Sequence, residues 1–123
     1  MKLCWVTINT DNMEESLRFY TEIAGLDVAS RFRPDHETEI AFLGGDDDPK
    51  VELISGPGCA AKGILKGISI GIRVDSLYDI LEKVKGKGID VISGPVSPSP
   101  SIKFFMVSDP NGVTVQFVEE TKD

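Results

Sequence analysis

Few side chains in this sequence are equipped for chemistry, and the most promising sit inside apolar strands. Glu52 lies in Lys50-Val51-Glu52-Leu53-Ile54, Arg73 in Ile70-Gly71-Ile72-Arg73-Val74, and Gln116 in Val113-Thr114-Val115-Gln116-Phe117. Neighbours along a strand point to opposite faces. The apolar neighbours must face a core, so the polar groups face away from it. A carboxylate, a guanidinium and an amide placed in this way can hold the polar handles of a small organic molecule. Trp5, between polar neighbours on its own face, could stack on the apolar body of such a ligand.

The other reactive types are poorly placed. The one histidine, His36, falls in Pro34-Asp35-His36, a turn signal, and reads as an exposed turn residue. Cys4 and Cys59 make neither a CxxC pair nor a disulfide framework. They read as thiols of a reducing cytoplasm. Cys59 sits in the flexible stretch "GPGCAAKG", where a bystander thiol is a better reading than a nucleophile.

The chain has 123 residues, 41% of them hydrophobic and 27% charged, enough for one compact domain with a real core. The net charge of −7 argues against a nucleic-acid partner, which favours basic proteins. The acidity reads as solubility first, and as attraction for a cationic ligand second. No apolar run reaches the ~18 residues of a membrane span. Met1-Lys2-Leu3-Cys4-Trp5 leads straight into a strand without signal-peptide character, so a cytoplasmic location is expected.

The elements that must position these residues form a repeat. In "VTINTDNMEESLRFYTEIAGLDV", Val6 and Ile8 alternate with Thr7 and Asn9. Asn12 and Glu15 then make a capping-box signal, Met13, Leu17 and Tyr20 an apolar helical stripe, and Gly25 a stop. Strands are expected at about 27–33, 38–44 and 50–55. In "ISIGIRVDSLYDILEKVKGKGIDV" the plan recurs. Ile68, Ile70, Ile72 and Val74 alternate with Ser69, Gly71 and Arg73. Ser76 and Asp79 are the capping pair, Leu77, Ile80, Leu81 and Val84 the stripe, and Gly86 and Gly88 the stop. Strands are expected at about 90–93, 102–107 and 113–119. Asn12 and Ser76 are 64 residues apart, and so are Glu52-Leu53-Ile54 and Gln116-Phe117-Val118.

The sequence therefore predicts an α+β fold of two βαβββ modules in a single domain over 1–123. Module 1 covers about 1–56 and module 2 about 67–120, joined by a linker at about 57–66. Helices should cover one face of a curved mixed sheet. Parity leaves Trp5, Thr7, Asn9, Lys50, Glu52 and Ile54 on the free face of the first module. In the second it leaves Ser69, Gly71, Arg73, Thr114, Gln116 and Val118. Strand 102–107 is apolar on both faces; Lys103 and Phe105 are taken as its free-face residues. The expected ligand-binding set is Trp5, Thr7, Asn9, Glu52, Ser69, Arg73, Phe105 and Gln116.

The two modules, with "NMEESLRFY" after the first strand and "DPNGVTVQFVE" at the end, resemble the vicinal-oxygen-chelate superfamily. That group includes glyoxalase I, the bleomycin-resistance proteins, the fosfomycin-resistance enzymes and the extradiol dioxygenases. The resemblance covers nearly the whole chain. It implies a cupped fold whose metal-dependent members place His and Glu ligands at four pseudo-symmetric positions. Those positions fall here on Trp5, Glu52, Ser69 and Gln116. Glu52 alone is a strong ligand, so these look like vestigial metal positions. No metal or other cofactor is expected, with a divalent ion as the disfavoured alternative.

Two functions remain open at this point. One is metal-free binding of a small organic molecule, with Glu52 and Arg73 as polar anchors and Trp5 stacking. The other is a metal-dependent lyase of the lactoylglutathione lyase type, an isomerase or a dioxygenase, with Glu52 as catalytic base or metal anchor. A regulatory dimer with a vestigial cup is a third reading. A homodimer is expected in any case, since the family favours dimers and a cupped sheet leaves open edges.

Overall fold

The computed structural model describes residues 3–57 and 68–121. The chain separates into two compact units, Met1–Gly63 and Ile64–Asp123. Their boundary falls in the segment expected to be a linker. Cys59 lies outside the described residues.

The first unit runs β1 (Trp5–Asn9), α1 (Met13–Arg18), a π-helical turn (Phe19–Ile23), β2 (Val28–Phe32), β3 (Glu39–Leu43) and β4 (Lys50–Ser55). The second runs β5 (Ser69–Arg73), α2 (Leu77–Gly86), β6 (Val91–Ser99), β7 (Ile102–Ser108) and β8 (Thr114–Glu120). Each unit is therefore a βαβββ module, and the fold class is α+β. The sheet orders are β1-β4-β3-β2 and β5-β8-β7-β6. In each unit the first strand is parallel to the fourth, and the remaining pairings are antiparallel. The register repeats as well. Trp5 faces Lys50 and Ser69 faces Thr114, so both members of the pair move by 64 residues (69 minus 5, 114 minus 50).

α1 starts where Asn12 Oδ1 accepts the Glu15 backbone N–H at 3.1 Å. The expected reciprocal half of a capping box is replaced: the Asn12 N–H donates to Thr10 Oγ1 at 3.0 Å. Thr10 also bonds the buried Ser16 hydroxyl at 2.8 Å, tying the helix to the end of β1. At Thr21 the side-chain hydroxyl donates to the Leu17 carbonyl at 2.6 Å. Such back-bonding competes with the helical ladder. The next turn is wider, with Ala24 N–H bonded to the Phe19 carbonyl, before Gly25 adopts φ 74° and ends the helix.

Ile8, Met13, Leu17, Tyr20, Ile23, Ala41, Leu43, Val51 and Leu53 are buried in the first unit. α1 packs against β4. Val6, expected in this core, is 36% exposed, whereas Ile8 of the same row is 4% exposed. In the second unit Leu77, Val84, Phe105, Val107, Val115 and Phe117 are buried, and α2 packs against β8. Ile80 and Leu81 of the expected stripe are half-buried.

β6 is longer than the strand expected at 90–93. It continues through Pro95 and Pro98 with several register irregularities. Proline lacks the N–H that an interior ladder requires, but β6 is an edge strand, where that loss is tolerated. No helix among the described residues is long and apolar enough to cross a membrane.

Candidate functional site

In the first unit, parity and pairing set a carboxylate beside aromatic rings on one sheet face. Glu52 pairs laterally with Thr7 on β1 and with Phe42 on β3. Side chains directly opposite in adjacent strands share a face. Thr7 Oγ1 donates to Glu52 Oε1 at 2.6 Å. Glu52 is 8% exposed. Trp5 meets Phe42 edge-on with centroids 5.3 Å apart, and Phe32 stacks on Phe42 at 6.4 Å with an interplanar angle of 15°. Trp5 is 51% exposed, so one side of this aromatic group is open to solvent. Asn9 is exposed on the same face, beside Ile54 in the register.

Lys50 precedes Glu52 by two positions and lies on the same face. Its ammonium turns to the loop instead, donating to the Asp48 carbonyl at 2.7 Å, and to those of Gly45 and Asp46. The bend at 34–37 leaves His36 exposed. Away from this face, Arg31 ties β2 to α1 and β3. Its Nε donates to Glu39 Oε2 at 2.6 Å, and its Nη2 pairs with Glu14. The Arg31 hydrogen bond holds the Glu39 carboxyl below its ordinary value.

The second unit repeats the arrangement with neutral residues. Gly71 and Met106 flank Gln116. They stand 64 residues beyond Thr7 and Phe42 (71 minus 7, 106 minus 42). Gln116 is half-buried, and a Cβ on Gly71 would lie 3.9 Å from its Oε1. Ser69 is exposed at the start of β5. The Arg73 guanidinium is largely exposed and lies 3.4 Å from Glu120.

Phe105 requires correction. It is fully buried, pairs with Phe117 and packs on it with centroids 5.5 Å apart. Phe105 belongs to the core row beneath α2. Phe104 and Met106 take the free face, opposite Val118 and Gln116. Lys103 shares the parity of Phe105 and pairs with Glu119 at 3.5 Å. The strand is apolar on both faces, so alternation alone gave no parity. The repeat carried the missing signal, since Phe105 stands 64 beyond Ala41, whose cross-strand partner is the core residue Leu53.

Phe42 was absent from the expected site for the same reason, and Phe32 joins it through the β2–β3 pairing, opposite Ile40. "EIAFL" is apolar at four of five positions, and only its pairing with β4 assigns Phe42 to the face of Glu52.

The donors offered by the four pseudo-symmetric positions are now specific. Trp5 has no lone pair to give, Glu52 is a carboxylate already accepting from Thr7, and Ser69 and Gln116 are neutral oxygen donors. No group of three or more His, Cys, Asp or Glu side chains that could hold a metal ion occurs among the described residues. Cys4 is an exposed thiol.

Comparison with known proteins places the chain in a family. Residues 2–117 match the model of the Glyoxalase/Bleomycin resistance protein/Dioxygenase superfamily. The chain belongs to this superfamily. A lactoylglutathione lyase of Neisseria meningitidis serogroup A is 28% identical, over 98% of this chain and 91% of that protein. Two solved structures share the fold. Glyoxalase I of Leishmania major superposes with a TM-score of 0.83 at 20% identity, covering 98% of this chain and 87% of that one. TnmS3, an antibiotic-binding protein from a Streptomyces species, superposes with a TM-score of 0.69 at 18% identity, covering 98% and 97%. At 20% and 18% identity these two structures show the shared fold, and the lactoylglutathione lyase is the more similar in sequence.

Proposed function

We propose that this member of the superfamily binds a small organic molecule on its free sheet faces and does so without a resident metal ion. The observation that carries the reading is the composition around Glu52. One buried carboxylate, already engaged by Thr7, lies beside Phe42 and Trp5. Zinc sites commonly take ~3–4 protein donors from imidazole, thiolate or carboxylate. The superfamily's ligand positions supply one such donor here, so the donor set does not fit the ion. Aromatic walls with one or two polar groups suit an organic ligand instead. Ser69, Arg73 and Gln116 offer polar handles on the free face of the second unit.

Trp5 is the only tryptophan in the chain, which makes the site its own reporter. A panel of small aromatic and polar compounds titrated against Trp5 fluorescence should yield saturable quenching. Elemental analysis of the purified protein should find substoichiometric metal. A flat Trp5 signal across the panel, together with stoichiometric metal, overturns the proposal.

A second reading is favoured by the names of the curated relatives. In it the chain is a metal-dependent lyase of the lactoylglutathione type, or an isomerase, and Glu52 serves as metal anchor or base. Hemithioacetal turnover stimulated by added nickel, zinc or manganese would establish it.

We further propose that the chain forms a homodimer. Each unit leaves edge strands, β1 and β2 in one and β5 and β6 in the other, and edges invite pairing. Sedimentation equilibrium at physiological salt should give twice the chain mass. A species at 13.4 kDa excludes the dimer.

A further inference from the structure

We propose that the ligand of the first unit is an organic cation, with its ammonium on the Glu52 carboxylate and an apolar or aromatic body against Trp5, Phe42 and Phe32. This rests on the binding reading above and names its ligand class.

Charge points to a cation. Glu52 is 8% exposed, and among the described residues its one hydrogen bond comes from the neutral Thr7 hydroxyl. It makes no ion pair among them. A buried carboxylate without an opposite charge is costly. The cation nearest in its own row is Lys50, two positions along the same strand face. That ammonium is held by the carbonyl oxygens of Gly45, Asp46 and Asp48. The row therefore keeps its own positive charge in the loop and leaves the Glu52 carboxylate to a charge from outside.

The surroundings of Glu52 point to a cation that carries carbon. Phe42 sits directly across from Glu52, Trp5 contacts Phe42 edge-on, and Phe32 stacks behind it. Ring faces attract an ammonium group, best of all the indole. A divalent metal ion needs lone-pair donors, which the rings lack. The combination of one carboxylate and several rings discriminates for a cation that carries carbon.

The repeat provides an internal control. The corresponding trio in the second unit, Gly71, Gln116 and Met106, has no charge and no ring. Cation recognition is confined to the first unit. The net charge of −7 raises the local concentration of such ligands but cannot select among them.

Calorimetric titration with three probes of matched shape tests the proposal: 4-phenylbutylamine as its cation, 4-phenylbutanol and 4-phenylbutanoate. The cation should bind about tenfold or more tighter than the alcohol, and the carboxylate weakest. Glu52→Gln is near-isosteric, retains an acceptor for Thr7, and should bring the amine down to the affinity of the alcohol. Backbone and indole NMR shifts of the wild-type protein, which need no variant, should move at Thr7, Trp5 and Phe42 when the amine is added. Equal affinity for amine and alcohol overturns the cation but leaves the binding reading standing. A cation preference that survives Glu52→Gln assigns it to bulk charge and overturns the proposal. So does binding that shifts other residues, or no binding by any probe. In that last case the compound panel read by Trp5 decides the broader reading separately.

Discussion

Thr7 and Glu52 stand opposite each other in the parallel β1–β4 ladder, and the hydroxyl donates to the carboxylate at 2.6 Å. Sixty-four residues later the same two positions hold Gly71 and Gln116 (71 minus 7, 116 minus 52). The two modules share a backbone plan and differ at the point where a ligand would be met. Hydrogen bonds to charged groups are stronger than neutral ones, and this one fixes the orientation of the carboxylate.

Removing that donor should cost stability. Thr7→Val keeps the β-branched shape but leaves Glu52 with no hydrogen bond, and an unsatisfied buried acceptor costs about 1–3 kcal/mol. Urea denaturation measures the loss. In a Glu52→Leu background the same change should cost under about 0.5 kcal/mol, because the coupling partner is absent. An equal cost in both backgrounds would assign the effect to packing rather than to the hydrogen bond.

The corrected parity of β7 separates two adjacent phenylalanines. Phe105 is fully buried on Phe117, while Phe104 lies half-buried on the opposite face. Phe105→Ala should destabilise by about 3–5 kcal/mol, as truncation of a core aromatic does. Phe104→Ala should cost distinctly less. Thermal unfolding of the two variants checks this, and a larger loss at position 104 would restore the parity read from the sequence.

The difference between those two residues also marks what the sequence could convey. The helices announced themselves through Asn12, Ser76, Gly25 and Gly88, because caps and stops are local chemistry. Glu52, Thr7 and Gln116 were assigned to their faces because each interrupts an apolar row. Phe105, Phe104 and Phe42 were not legible in that way. Their strands are apolar on both sides, so parity depends on which neighbour they pair with, a non-local fact. The length of β6 was hidden for a related reason. Pro95 and Pro98 read as breakers unless the strand is known to lie at a sheet edge.

The acid limb of the stability curve should carry the signature of Glu39. Its carboxyl is held below the ordinary 4.5 chiefly by the hydrogen bond from Arg31, with Coulombic help from Arg31 and Arg33. A depressed carboxyl contributes stability that is complete above its unfolded pKa and is lost as pH falls through its folded pKa. Arg31 stays charged throughout. Arg31→Met should therefore lower stability at pH 7 by about 1 kcal/mol, the modest value of a solvent-screened pair. The gap to wild type should close as pH drops below about 4.5. Denaturant midpoints from pH 7 to pH 3 read it, and a gap constant with pH would mean that packing of the Arg31 stem, not its charge, is what was lost.

Trp5 is an optical probe of the aromatic face. The ring is 51% exposed yet touches Phe42 edge-on at 5.3 Å. Emission from the unliganded protein should be red-shifted relative to a buried indole, and acrylamide should quench it efficiently. An occupant lodged against both Trp5 and Phe42, which meet edge-on, covers the open side of the indole. Saturating ligand should shift the emission to the blue and lower the quenching constant, because it removes the ring from water. Phe42→Leu should keep the exposure of Trp5 in the free protein while weakening the protection a ligand gives. Undiminished acrylamide quenching in a complex confirmed by calorimetry would place the ligand away from β1, and Trp5 would then have no part in binding.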